Sequence, residues 1–416
     1  MRPARLAIAS ALLMATMPLA QTADATARQK AGVEGTDPAA AYTALLPARL
    51  ADTRPLHPTV DSTFAGLGAI KADTMMHLTV AGRGGVPVDA VAAVLNVVAT
   101  EADAPGFLTL FPCGQPRPIA SNVNYRPHVD VANAVISKIG ADGSICIYSQ
   151  QTTDVVVDVN GAFGPSTSFV PVDPARLIDT RPGHSTVDGL LQGTGAAQGS
   201  SVNTVRVAGR AGVPANASAI AMTVTVTDAE ADGYATVYPC GTEPATASNI
   251  SYSAGVSTPN LVIAKIGSAG DVCIFTQSRA NLVADVTGYF GANAGFTALQ
   301  PARLMDLRPG YPTVDGPVGP GSFVVGRIIT QVSGRGGVPV GARAAVLNIT
   351  AVEEQAPGYL TVFPCNGVEV LASNINYETN RPIANLVVAT LDSNGIICYN
   401  ASQLTRIVVD VLGYFP

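Results

Sequence analysis

The chain has no tryptophan, only four histidines, and few charges: Asp, Glu, Lys and Arg together make up 13% of its 416 residues. Each shortage removes a class of explanation. A chain of formal net charge −6 with sparse Lys and Arg lacks the clustered cations that displace counterions from nucleic acid. It is equally unsuited to an anionic membrane surface. Beyond the N-terminal leader no stretch approaches 18 uncharged apolar residues, so no membrane insertion is expected. A β-barrel ending in Tyr414-Phe415-Pro416 is disfavoured, because the same ending closes an internal segment as Tyr289-Phe290 and girdle aromatics are few. Enzyme signatures are missing too: there is no His-Glu-x-x-His pair and no Gly-x-Ser-x-Gly elbow. His57 and His184 occupy matching positions, but Tyr311 stands at the third. No cofactor and no metal is expected.

What the chain does contain, it contains three times. Pro47-Ala48-Arg49-Leu50 returns as Pro174-Ala175-Arg176-Leu177 and as Pro301-Ala302-Arg303-Leu304. Cys113, Cys240 and Cys365 recur in step with it, as do Cys146, Cys273 and Cys398. The spacing is 127 residues between the first two copies and 125 between the last two, the missing pair falling between Asp315 and Arg335. A unit of roughly 120 residues can bury its own core and is far longer than a solenoid repeat. Three tandem domains are therefore expected, at 42–165, 169–292 and 296–416. Arg2 and Arg5, the apolar run from Leu6 to Leu19 and Ala23-Asp24-Ala25 predict a secretory signal peptide over 1–25, with a loose lead-in over 26–41. The joints, Gly164 to Ser168 and Gly291 to Gly295, reach about 17 Å at most. A rod and a compact pseudo-threefold cluster both satisfy them.

The first copy reads as eight strand-like segments rich in Val, Ile, Thr, Phe and Tyr, punctuated by turn residues, with no helical periodicity. They are Leu45–Leu50, 77–80, 91–100, 106–113, 120–125, 132–139, 144–149 and 154–159. The fold expected is all-β: three tandem antiparallel β-sandwich or jelly-roll-like domains, each with one internal disulfide. Asp142-Gly143 between two strand segments predicts a tight hairpin, spelled Asn394-Gly395 in the third copy. In the last strand Val155, Val157 and Val159 share one face, and Asp154, Asp158 and Asn160 the other.

Six cysteines in an exported chain read as disulfides. The separations Cys113 to Cys146, Cys240 to Cys273 and Cys365 to Cys398 are all 33, which makes one bridge per copy the economical pairing. Zinc is the competing reading, and the close Cys-x2-4-Cys spacing it uses is absent.

Charges are scarce, so those written into every copy are the binding candidates: Asp61, Asp188 and Asp315, with Arg54, Arg181 and Arg308. Each copy also repeats Arg49, Arg83, Asp52 and Asp158 or their counterparts. A polar pocket for a sugar or cation is one reading. Internal ion pairs and turn anchors are the plainer one, because an Arg fork satisfies carboxylates and loop carbonyls together. Asn122 and Asn133 recur with counterparts in both other copies, and such residues commonly pin loops. The string Gly82-Arg83-Gly84-Gly85-Val86-Pro87 lacks the Lys-Ser/Thr of a phosphate loop and reads as a turn. Two aromatic triplets also recur, Tyr125/Tyr252/Tyr377 and Phe107/Tyr234/Tyr359. Their strand positions predict core or cross-strand roles for most, with sugar stacking as the functional alternative.

Taken together, Pro-Ala-Arg-Leu-x-Asp-x-Arg, Thr-Val-Asp, Gly-Arg-x-Gly-Val-Pro, Pro-Cys, Ala-Ser-Asn-x-x-Tyr and Asp-Val-x-Gly-x-Phe resemble a repeat of secreted actinobacterial-type proteins. The match spans the chain after about Tyr42, departing at Leu307 where the other copies have Thr53 and Thr180. The resemblance implies an extracytoplasmic β-rich accessory module, sometimes found beside hydrolases. It implies no established activity and supplies no catalytic residues. The expected function is an exported, non-enzymatic protein at the cell surface, structural, adhesive or ligand-binding. Its expected partners are a cell-wall polymer, a glycan or a surface protein. A secreted hydrolase acting on wall polymers or glycans is the alternative.

Overall fold

A computed structural model of the chain describes residues 42–165, 169–244, 248–292, 295–317, 321–367 and 373–416. The expected signal peptide and lead-in lie outside the described residues, as does part of each joint. Every regular element among the described residues is a strand.

The first repeat has eight: β1 (Thr43–Asp52), β2 (Thr74–Thr79), β3 (Ala92–Thr100), β4 (Gly106–Pro112), β5 (Val123–Tyr125), β6 (Val131–Lys138), β7 (Ser144–Ser149) and β8 (Asp154–Phe163). They form two antiparallel four-stranded sheets, ordered β1-β8-β3-β6 and β2-β7-β4-β5. That order, with the chain crossing between facing sheets at every connection except β4 to β5, is the jelly roll. The second repeat reproduces it over residues 169–290. The third does so with one change: its last two strands run on as a single strand, Ile396–Phe415, that serves both sheets. A two-stranded hairpin, Pro312–Thr313 with Gly316–Pro317, stands where that repeat is shortened. The sandwich and jelly-roll expectation is met in all three copies.

The expected hairpin over Ala132–Ile139 and Ser144–Ser149 is a correction. Its turn exists, with the Gly143 amide donating to the Gly140 carbonyl at 2.9 Å and Gly143 at φ +80°. Yet β6 pairs with β3, whereas β7 pairs with β2 and β4. The turn is an arch that carries the chain from one sheet to the other. Turn chemistry specifies the reversal; the need of both strands to cover one core from opposite sides decides the pairing.

Three disulfides form, Cys113–Cys146, Cys240–Cys273 and Cys365–Cys398, one in each repeat as expected. Each staples two paired strands; in the first repeat Phe111 on β4 stands opposite Cys146 on β7.

The strands β3 and β8 are buried on both faces, which is why they read as nearly unbroken apolar runs. One face carries Leu95, Val97, Val155, Val157 and Val159 into the interior of the repeat, against Leu108 and Ile147 of the other sheet. The other face carries Ala92, Val94 and Phe163 into a second core, shared with Phe169, Ala221, Phe290, Phe296, Val346 and Phe415 of the other repeats. The described residues, from Tyr42 to Pro416, accordingly make one compact unit.

Six aromatic rings close a cycle inside that shared core, two from each repeat. Centroids follow one another from Tyr42 to Phe163 (5.1 Å), Phe169 (4.6 Å), Phe290 (5.0 Å), Phe296 (4.2 Å), Phe415 (4.9 Å) and back to Tyr42 (4.5 Å). All six are buried, each contributing about 2–3 kcal/mol of apolar burial. The three repeats thus surround a common pseudo-threefold axis, and the choice between rod and cluster falls to the cluster. The Gly of each Asp-Val-x-Gly-x-Phe string makes room for this. A Cβ on Gly288 would meet Phe169 at 2.2 Å, and one on Gly413 would meet Phe296 at 2.5 Å.

Hydrogen bonds repeat the cycle. Asn133 Oδ1 accepts from the Leu261 amide (3.4 Å), Asn260 Oδ1 from Leu386 (3.2 Å), and Asn385 Oδ1 from Ala134 (2.9 Å). The Nδ2 of each of these asparagines, Asn133, Asn260 and Asn385, donates to a carbonyl of its own repeat, Asn122, Asn249 or Asn374, at 2.6 Å. Asn96 reaches the Ser373 carbonyl at 2.5 Å and Asn348 the Ser248 carbonyl at 2.6 Å. The second repeat has Thr223 at that position, and its buried hydroxyl has no partner.

Candidate functional site

The repeated charges fall into two separate networks. In the first, Arg49 forks onto Asp158 (2.9 and 3.3 Å) and reaches Asp52 (3.1 Å), which also takes both bonds of the Arg54 fork (3.0 and 2.8 Å). The second repeat builds it from Arg176, Asp285, Asp179 and Arg181, and the third from Arg303, Asp410, Asp306 and Arg308. The bulged pairing of β1 with β8 sets Arg49 opposite Asp158. Burial pushes the Asp158, Asp285 and Asp410 carboxyls upward, against the pull of their arginines. Burial also pushes Asp179 up, but the Arg181 and Arg176 guanidinium groups overcome it and leave that carboxyl low.

The second network is a turn anchor. Arg83 forks onto Asp61 (2.7 and 2.8 Å) while donating to the carbonyls of Thr79 (2.8 Å) and Leu50 (2.9 Å). Arg210 does the same with Asp188 and Leu177, while Arg335 reaches Asp315 through Nε alone and donates to the Leu304 carbonyl. These arginines hold the Asp61 and Asp188 carboxyls well below the usual range. Gly82 and Val86 close the Gly-Arg-Gly-Gly-Val-Pro string as a turn, amide to carbonyl at 2.9 Å. So Asp61 and Arg54 do not share a site: each binds a different residue, and the same division holds for Asp188 with Arg181 and Asp315 with Arg308.

The aromatic triplets also separate. Tyr125, Tyr252 and Tyr377 are core residues, 2–4% exposed, whose hydroxyls bond inward, Tyr125 to Ser149 (2.8 Å) and Tyr377 to the Gln403 carbonyl (2.8 Å). Phe107, Tyr234 and Tyr359 stand at the second position of their strands and reach the surface; Tyr234 is 38% and Tyr359 47% exposed. Of the two roles expected, the first triplet takes the core one and the second the cross-strand one, Phe107 against Tyr148 (centroids 6.0 Å) and Tyr234 against Phe275 (5.8 Å) on paired strands. Strand alternation contains the signal, since Phe107 and Leu108 must point to opposite faces.

A cleft of about 590 Å³ opens between the first and second repeats. Phe107, Asn124, Gln150 and Arg117 line it from the first repeat, and Arg181, His184 and Ser257 from the second. His184 Nδ1 lies 4.0 Å from Asp179, and Arg117 stacks on Tyr148 with its guanidinium carbon 3.8 Å from the ring centroid. Sequence reasoning missed this cleft because its walls come from different repeats.

His77, Cys113 and Cys146 are the one grouping of metal-type ligands among the described residues, and both cysteines are spent in the disulfide. Glu354 is a buried acid found in the third repeat alone, Ala102 and Ala229 holding its place elsewhere. Burial pushes it up to about 7, and one of its oxygens accepts from the Arg381 amide at 3.0 Å. It does not line the cleft.

No protein-family model matches the chain, and no curated protein matches it. Among solved structures, 25 chains match. One is from Sulfolobus turreted icosahedral virus (8% identity, 82% of this chain and 83% of that one, TM-score 0.21). A second is described under the triple jelly roll fold and turret assembly of an archaeal virus (8% identity, 88% and 95%, TM-score 0.22). A third is the N-terminal CBM22-1-CBM22-2 tandem domain of Paenibacillus barcinonensis Xyn10C (12% identity, 58% and 98%, TM-score 0.16). At these TM-scores none carries an argument about this chain, whose jelly-roll topology rests on its own strand order.

Proposed function

We propose that this chain is an exported, non-enzymatic protein that binds a glycan of a cell wall or cell surface through its three like jelly rolls. One observation carries the reading: an aromatic ring at the same surface position of every repeat, Phe107, Tyr234 and Tyr359. A core does not need a partly exposed ring there, whereas a sugar face stacks on one. Three disulfides fit an oxidising compartment, and the N-terminal leader fits export. The resemblance to secreted actinobacterial-type repeats supports the same setting. Among the described residues no helix is long and apolar enough to cross a membrane. The hydrolase alternative draws less support, because Asp61, Asp188 and Asp315 are each clamped by an arginine.

The test is a binding panel of the mature chain against wall fractions and glycans, repeated with Tyr234→Ala and Tyr359→Ala. Binding should fall several-fold in each single variant and further in the double variant, as expected of linked sites. Binding that survives the double variant unchanged would remove the aromatic platforms from the reading.

A further inference from the structure

The cleft between the first and second repeats differs in charge from the surface around it. On a chain of net charge −6, it is lined by Arg117, Arg126, Arg176, Arg181 and His184, and by no carboxylate among the described residues. The carboxylates that balance two of these arginines, Asp179 and Asp285, are buried behind them at 0–1% exposure, and Arg126 is paired with Glu378 of the third repeat at 2.6 Å, a carboxylate outside the cleft lining. Arg117 carries no ion pair among the described residues; it is exposed and held only by its stacking on Tyr148. Among the described residues, Arg117 is therefore the cleft arginine whose guanidinium has no carboxylate partner, and the wall presents it to whatever enters.

Two of these groups are written into one repeat alone. Where the first repeat has Arg117 and Arg126, the second has Pro244 and Ser253, and Glu378 replaces the latter in the third. His184 gives way to Tyr311 in the third repeat. The pseudo-threefold fold thus supplies three equivalent junctions, one of which carries an arginine, Arg117, with no carboxylate partner among the described residues. Phe107 lines the same cleft, placing an aromatic face beside the arginines, and its volume falls in the range of small-ligand sites.

We propose that this cleft is the seat of the anionic group, carboxylate or phosphate, of an acidic saccharide. Arg117 and Arg126 are the residues that select it, and Phe107 takes the sugar face. The inference rests on the glycan-binding reading above and names the ligand's charge. Calorimetric titration of the full mature chain with trigalacturonate, galactotriose and inorganic phosphate tests it, alongside Arg117→Ala and Arg126→Ser, the latter carrying the residue of the second repeat. Trigalacturonate should bind at least ten-fold more tightly than galactotriose, and Arg117→Ala should abolish that preference while leaving the melting temperature unchanged. Equal affinity for the two trisaccharides, or a preference untouched by both variants, would overturn the inference and leave the glycan reading standing. Phosphate binding that Arg117→Ala removes, with neither trisaccharide bound, would support the anion seat and overturn the saccharide. No binding by any of the three probes would overturn both.

Discussion

Glu354 and Thr223 are positions where one repeat departs from the other two, and each departure has a measurable cost. Burial holds the Glu354 proton up to about 7, from an ordinary 4.5. The folded chain therefore binds this proton more tightly than the unfolded chain. Its contribution is complete below about pH 4.5 and is lost as pH rises to about 7, a span of about 3 kcal/mol. Denaturant unfolding of Glu354→Gln should lose correspondingly less stability than the parent between pH 4.5 and 7.5. Thr223 interrupts the circuit that Asn96 and Asn348 make in the other repeats, leaving a buried hydroxyl without a partner. Thr223→Asn should raise stability by about 1 kcal/mol, read as an upward shift of the unfolding midpoint. The recurrence of Asn133, Asn260 and Asn385 was plain in the sequence, but only their local role was. A bond from Asn133 to the Leu261 amide spans 128 positions, and local spacing says nothing about such partners.

At the scale of the strand, spelling and pairing separate. Valine-rich stretches and turn dipeptides placed all eight strands of the first repeat to within a few residues, 144–149 and 106–113 among them. Pairing was not legible in the same way, because Asp142-Gly143 reads alike in a hairpin and in an arch between sheets. The disulfide was legible, since a spacing of 33 recurred unchanged in all three copies. The Asp-Val-x-Gly-x-Phe string was visible as a motif while its reason was not. That reason is close approach: a methyl group on Gly288 would press into the Phe169 ring. Gly288→Ala should cost about 2–3 kcal/mol in a thermal or denaturant melt, whereas Gly209→Ala, where no atom crowds the added carbon, pays only for its φ of +80°.

Across the whole molecule, the shared aromatic core should make the three repeats unfold together. A single repeat cut out over 169–292 would expose Phe169 and Phe290, both now fully buried, and should melt without a sharp transition. The intact chain should show one calorimetric transition, and Phe290→Ala should lower its midpoint rather than split it. This arrangement was only half legible. The joints were known to be short, which admits a rod as readily as a ring. The recurrence of Tyr42, Phe169 and Phe296 at the start of each repeat, with Phe163, Phe290 and Phe415 at its end, was the available clue. It gains meaning once the repeats are known to meet.

The continuous chain through the six-ring cycle also sets how the assembly can change. A trimer of separate identical chains dissociates on dilution, and any substitution in it appears at every junction at once. Here the stoichiometry is written into one polypeptide, so dilution cannot part the three units and each junction is free to acquire its own chemistry. Arg117 stands at one junction of the three for that reason, a degree of freedom that a symmetric trimer lacks.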